Sequence, residues 1–249
     1  MGLEAVITIM RRELVLYLRN HARVIGTLGV PFFYLVVIGF GLNPVLSVRG
    51  TNYFSFLVPG IIGMVILFQG VFSAFGVVTE RQFGFLKEML VAPIARTDIV
   101  LGKALGNALT ATAQGILVLV MGFLLGFSFA LPPQNILLAV LVMFLSAIGF
   151  VGFGLAIASR IKDPQVFQVL FNFLIMPLFL LSGAMFPIES APAWLQGAVY
   201  LDPVAYSVDA MRGLLIGVSH LPLEINLGVL LAFDLVMILL ASYLFERAD

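Results

Sequence analysis

Long stretches of the chain carry no charged side chain: Val24 to Val48, Gly50 to Thr79, Ala104 to Ser159 and Pro164 to Ile188. A further run, Ile225 to Phe245, is broken only by Asp234. A helix crossing the hydrocarbon core of a bilayer needs about 20 predominantly apolar residues. The third stretch is too long for one crossing, and Phe127-Ser-Phe-Ala-Leu-Pro-Pro-Gln-Asn135 near its middle supplies a turn. The pattern therefore predicts six membrane helices, at about 24–42, 54–78, 104–126, 136–158, 166–183 and 225–245. The runs do not alternate apolar with polar residues, which excludes strands of a lipid-facing barrel.

Between the runs, the polar residues are distributed unevenly. The N-terminal segment holds Arg11, Arg12, Arg19 and Arg23; the second loop Arg81, Lys87, Arg96 and Lys103; the fourth Arg160 and Lys162; the tail Arg247. The alternate loops hold only Arg49 and Arg212. The positive-inside bias then places both termini in the cytoplasm, as an even number of spans requires. Leu3, Val6, Met10, Leu14, Tyr17 and Leu18 recur at helical spacing, so residues 1–23 read as an amphipathic helix lying along the membrane, with Arg11, Arg12 and Arg19 suited to headgroups. In the second loop, residues 80–93 mix charges of both signs with Phe83, Phe85, Leu86, Met89 and Leu90, and Pro93 would end a short helix there. Such a helix is too charged for lipid and more apolar than a plain connector needs, so it is either a docking element for a cytoplasmic partner or a solvated loop helix lying on its own bundle. Residues 184–224 carry several prolines with Trp194, Tyr200 and Tyr206, a pattern that fits short helices dipping into the outer leaflet.

Composition narrows the function. Apolar residues make up 61% of the 249, and mean hydropathy is +1.13. Basic and acidic residues are balanced at 13 each, leaving no excess for a nucleic-acid backbone. Without cysteine there is no thiolate metal site or cysteine nucleophile, and His21 and His220 fall on opposite sides of the membrane, so no histidine pair binds a metal. Ser182 has no intramembrane histidine to serve as its base, and Gly102-Lys103 lacks the rest of a phosphate-binding loop. No catalytic residue, cofactor site or metal site is expected in this chain. Asp234, alone in the sixth span, is either a proton or cation site or a protonated acid bonded to a neighbouring helix.

Glu80-Arg81, Gly84, Leu86-Lys87-Glu88, Ala92-Pro93, Arg96 and Gly102-Lys103 together resemble the loop between the second and third spans of type-2 ATP-binding-cassette exporter permeases. The resemblance is to the branch with daunorubicin-resistance and nodulation-factor export permeases. Leu181-Ser182-Gly183, Met185-Phe186-Pro187-Ile188 and Pro192-Ala-Trp-Leu195 resemble that family's fifth span and outer loop. Asp202-Pro203, Tyr206, Asp209-Ala-Met-Arg212 and Gly213 resemble the family's next segment, with Asp202 where the family usually has Asn.

This resemblance implies one permease domain over 1–249, an all-α integral membrane protein of the prokaryotic plasma membrane. It would work as a dimer, or paired with a similar permease, on two separate ATPase subunits that hold the ATP and Mg. The coupling helix would be residues 80–93, carried by Glu80, Arg81, Phe83, Gly84, Phe85, Leu86, Lys87, Glu88 and Pro93. Ile161, Lys162, Asp163 and Pro164 would form a second cytoplasmic contact. Pro187, Trp194, Asp202, Pro203, Tyr206 and Arg212 would belong to an outer gate of re-entrant helices. The expected function is ATP-driven export of an amphiphilic or lipid-linked substrate, a drug, glycolipid or saccharide. The competing expectation is a proton-coupled secondary carrier centred on Asp234.

Overall fold

The structure, a computed structural model, describes residues 2–48, 50–84, 95–128, 132 and 134–247, with the side chain of Arg23 also left aside. Among these residues six helices are long and apolar enough to cross a membrane: Val24–Leu42, Tyr53–Gln82, Arg96–Leu124, Gln134–Arg160, Pro164–Leu181 and Leu223–Glu246, here spans 1 to 6. Span 2 continues to Gln82 and span 3 begins at Arg96, beyond the charge-free runs, where Glu80 pairs with Lys103 and Arg81 and Arg96 donate to backbone carbonyls. Span 1 is a series of short pieces, with a π-helical stretch at Tyr34–Gly39. Its Gly26, Gly29, Gly39 and Gly41 weaken a regular helix, and Pro31 has no amide hydrogen to donate. A hairpin that hydropathy could not reveal joins spans 1 and 2, pairing Ser47 with Asn52 and Val48 with Thr51. Gly50 takes φ +79° in its turn, where an L side chain is strained.

Span 2 is the central pillar. The side chain of Asn52 caps it by accepting from the Ser55 amide at 2.8 Å, and nearly all its residues from Tyr53 to Ser73 are buried. Span 3 packs along one side of it and span 4 along another, while span 6 lies against span 4. In lipid, helix association depends on close packing and interhelical hydrogen bonds rather than on hydrophobicity. Hence glycines mark the tight crossings: a Cβ at Gly60 would collide with the Ala184 carbonyl, and one at Gly149 with the Asp234 carboxylate. Gly102 and Gly106 of span 3 admit the N-terminal helix Gly2–Arg19. Gly126 and Gly217 instead take positive φ where helices end.

Spans 1, 5 and 6 are mostly uncovered, whereas span 2 is mostly buried. Side-chain bonds show which segments share an end of the bundle. Lys103 reaches Glu13 and Glu80, Arg81 reaches Ile161, and Arg96 reaches Glu246. This basic end therefore gathers the N-terminal helix, the loops after spans 2 and 4, and the end of span 6. At the opposite end Tyr53 donates to the Met185 carbonyl at 2.8 Å and Arg212 to the Gly183 carbonyl at 3.1 Å.

Candidate coupling interface at the basic end

The N-terminal helix buries Ile9 and Tyr17 and lies so close to span 3 that a Cβ at Gly102 would sit 2.7 Å from the Cβ of Ile9. That approach brings four charged side chains together. Lys103 Nζ donates to Glu13 Oε1 at 3.0 Å and to Glu80 Oε2 at 2.8 Å, with its side chain only 2% exposed. Arg12 Nη1 completes the ring at 2.8 Å from Glu80 Oε1 and 3.2 Å from Glu13 Oε1. Two cations against two carboxylates leave the cluster neutral, which is how a lysine can be buried here. Arg12, read from the sequence as a headgroup residue, is thus turned to Glu80. Glu13 gave no signal beyond being one of two acids, with Glu4, on an amphipathic helix.

The chain leaves this cluster at Arg81, whose Nη1 donates to the carbonyls of Ala158 at 3.4 Å and Ile161 at 3.0 Å. Phe83 then projects into open space at 75% exposure, and Gly84 adopts φ +85°. Phe85, Leu86, Lys87, Glu88 and Pro93 of the expected coupling helix lie outside the described residues. Arg96, where description resumes, donates from Nη1 to the carbonyls of Phe245 at 3.2 Å and Glu246 at 2.7 Å. In the second expected contact Ile161 is buried, Lys162 and Asp163 are exposed, and Pro164 starts span 5. The Asp163 side chain caps span 5 by accepting from the Gln165 amide at 2.8 Å.

Deeper in the bundle is a cavity of about 290 Å³ lined by Val30 and Pro31 of span 1, Phe68 and Gln69 of span 2, Gln114 of span 3 and Phe171 of span 5. Gln114 hydrogen-bonds Thr27, whereas Gln69 Nε2 is buried without a partner among the described residues. A second cavity of about 270 Å³ shares Gln69 and Phe72 with the first and extends to Glu13 and Glu80. Among other intramembrane polar residues Ser73 bonds locally to Gly70 and Asn107 to Lys103, while Ser146 of span 4 donates to Ser207 Oγ at 2.6 Å. Asp234 is buried against Gly149 of span 4, and its Oδ1 has no partner among the described residues. None of the residues that line the two large cavities is Asp234.

At the opposite end Arg212, on the helix Pro203–Ile216, is fully buried. Its Nη2 donates to Gly183 at 3.1 Å and Ala184 at 2.7 Å, its Nε to Phe56 at 3.3 Å, and its guanidinium lies 3.6 Å from the Phe56 ring centroid. Burial pulls its pKa down to about 9, so it stays charged at neutral pH. Asp209, one turn earlier, was not among the expected site residues. It accepts from the amides of His220 and Leu221 and from Asn226 Nδ2, fixing the turn into span 6. Pro187 precedes a single 3₁₀ turn, Trp194 is exposed on the helix Ala193–Val199, and Tyr206 donates to the Tyr200 carbonyl at 2.7 Å.

Asp202 caps the Pro203–Ile216 helix, accepting from the Val204 amide at 2.9 Å, while burial pushes its carboxyl up to about 7. An acid whose pKa is higher folded than unfolded favours folding at low pH. That contribution is complete below the unfolded value and is lost as pH rises through about 7. Asp202→Asn is therefore expected to flatten the pH dependence of thermal stability between pH 5 and 8, because the amide keeps the cap without titrating. Parallel melting curves of the two proteins across that range would remove Asp202 from this role.

The six apolar helices, with charged side chains gathered at one end, define a multi-pass membrane protein. Residues 4–216 match the family described as ABC-2 type transporter, and the chain belongs to that family. It is 26% identical over 231 residues to nodulation protein J of Rhizobium leguminosarum bv. viciae, covering 91% of this chain and 87% of that one. Identity to the putative transport permease ycf38 of Cyanophora paradoxa is 28% over 256 residues, covering 96% and 88%. The probable multidrug ABC transporter permease YbhR of Escherichia coli K12 is 32% identical over 164 residues, 65% of this chain but 44% of YbhR. The chain is thus a transport permease of the cell membrane, and its family implies ABC ATPase subunits as partners.

Proposed function

We propose that this permease is the membrane half of an ATP-driven exporter. Two copies, or one copy with a similar permease, pair with two ATPase subunits that hold the ATP and Mg. The basic end faces the cytoplasm and residues 80–93, with Ile161 to Pro164, form the contact. The observation that carries this reading is the exit of the chain from a buried ionic cluster straight into an exposed Phe83. A rigidly held element with an uncovered aromatic tip offers docking area and a firm base from which to transmit force. ATP-driven closure of the ATPase pair would push this element and rock the two permease copies about their interface. Pro187, Trp194, Asp202, Pro203, Tyr206 and Arg212 close the path outside. The aromatic cavity with two glutamines suits an amphiphilic or lipid-linked cargo, and one relative's description as a multidrug permease is in keeping with that.

Gly84→Trp tests the contact, since φ +85° strains any L residue and the indole adds bulk where the ATPase would sit. The variant is expected to insert normally but to lose ATPase co-purification and at least about tenfold of ATP-dependent efflux from proteoliposomes, equivalent to about 1.4 kcal/mol. Undiminished co-purification and efflux would remove the segment from the mechanism. Transport that persists on a proton gradient without ATP would overturn the reading itself.

A further inference from the structure

Residues 81 and 96 bracket the segment proposed as the ATPase contact, and each does the same unusual thing. The last carbonyls of a helix have no partner within it and carry partial negative charge. Arg81 occupies those at the end of span 4, Ala158 and Ile161, and Arg96 those at the end of span 6, Phe245 and Glu246. Neither helix is a sequence neighbour of the arginine that caps it. Each cap exploits a charge-assisted bond, roughly twice as strong as a neutral one. Spans 4 and 6 also pack along each other.

Span 5 is held differently. Its basic-end amides are capped by its own Asp163, and Ile161 to Asp163, which join it to span 4, are not helical. Against span 2 it sets rings on rings: Phe171 lies 5.6 Å from Phe68 and 5.4 Å from Phe72, and Phe167 lies 5.8 Å from Phe75. Such contacts are attractive but tolerate sliding more readily than a hydrogen bond does. Beyond its far end, among the described residues, side-chain donors grip the chain, with Arg212 on Gly183 and Ala184 and Tyr53 on Met185. Phe171, on this loosely held helix, lines the larger cavity.

We propose that Arg81 and Arg96 are positioning residues that make spans 4 and 6 follow the segment between them, so that spans 2, 3, 4 and 6 turn as one body past span 5, which pivots at its Arg212-held end and changes the cavity it walls. The inference rests on the proposed ATPase contact. It assigns what that contact moves.

With no cysteine in the chain, spin labels can be placed at will. One pair, Arg160→Cys with Arg247→Cys, spans the body; the other, Leu101→Cys with Val169→Cys, crosses from span 3 to span 5. Labelled permease, diluted with unlabelled chain, is reconstituted with its ATPase and compared nucleotide-free and trapped with ATP and vanadate. The body distance is expected to hold within about 2 Å while the cross-body distance changes by about 5 Å or more. In Arg96→Ala, which leaves residues 80–93 untouched, the body distance begins to change and the cross-body change falls at least twofold, with ATP hydrolysis retained. Arg96→Lys keeps a donor for one carbonyl and restores most of the movement. Equal changes at both pairs in the unsubstituted background overturn the inference alone, whatever the alanine variant does, as does an alanine variant that moves normally. A complex in which ATP shifts neither distance overturns the ATP-driven reading and this inference with it.

Discussion

Lys103→Met is expected to lower stability by about 3–5 kcal/mol, because it leaves the Glu13 and Glu80 carboxylates facing each other with Arg12 as their one remaining partner in the cluster. For a chain of this size that corresponds to a fall in Tm on the order of 10 °C, readable by size-exclusion after heating in detergent. Methionine preserves the length and apolar stem of lysine, so the loss reports the missing ammonium rather than a void. Adding Glu13→Gln and Glu80→Gln should recover a good part of it, since neutral amides tolerate burial without a cation. The reason for expecting so large an effect is that the lysine side chain is 2% exposed, well beyond the reach of compensating water. A Tm within about 2 °C of the parent for Lys103→Met would mean that the carboxylates find solvent or protons at little cost, and the cluster would not be the base on which the coupling segment rests.

Arg212→Leu should be as damaging at the opposite end. It removes donors from three buried carbonyls, those of Phe56, Gly183 and Ala184, and a cation from the face of the Phe56 ring. Bonds from a charged group are worth about 1.5–3 kcal/mol each, and orphaned buried acceptors add their own desolvation cost. A loss of about 3 kcal/mol or more is expected, with faster protease cleavage between residues 182 and 222. Arg212→Lys should recover less than half, because one ammonium cannot reproduce the planar fork that serves carbonyls of two separate segments. An unchanged melting curve and cleavage rate for Arg212→Leu would show that the turn after span 5 holds itself in place.

The two sites differ in how far they could be foreseen. Arg212 stood out as one of only two basic residues in the loops expected outside, and its family match marked it. Its partners did not stand out, because backbone carbonyls of Phe56, Gly183 and Ala184 leave no trace in a residue pattern. Glu80 and Arg81 were read as part of a coupling element, yet Arg12 and Lys103, which pair with Glu80, and Ile161, which accepts from Arg81, come from three other segments. Arg12 was misdirected to lipid, since helical periodicity gives the face of a residue but not which neighbour covers that face. The hairpin at 47–52 is too short for any alternation to register.

The six spans and their approximate limits were legible in residue chemistry alone, because a bilayer demands apolar length and internally satisfied backbone whatever the neighbours do, whereas the permease family was legible only through the likeness of its loop motifs to known relatives. Which helices bury one another, and which charged groups meet at their ends, depended on tertiary packing. Long-range pairs such as Arg96 with Glu246 are fixed by where six helices end in space, and hydropathy along the chain carries no information about that.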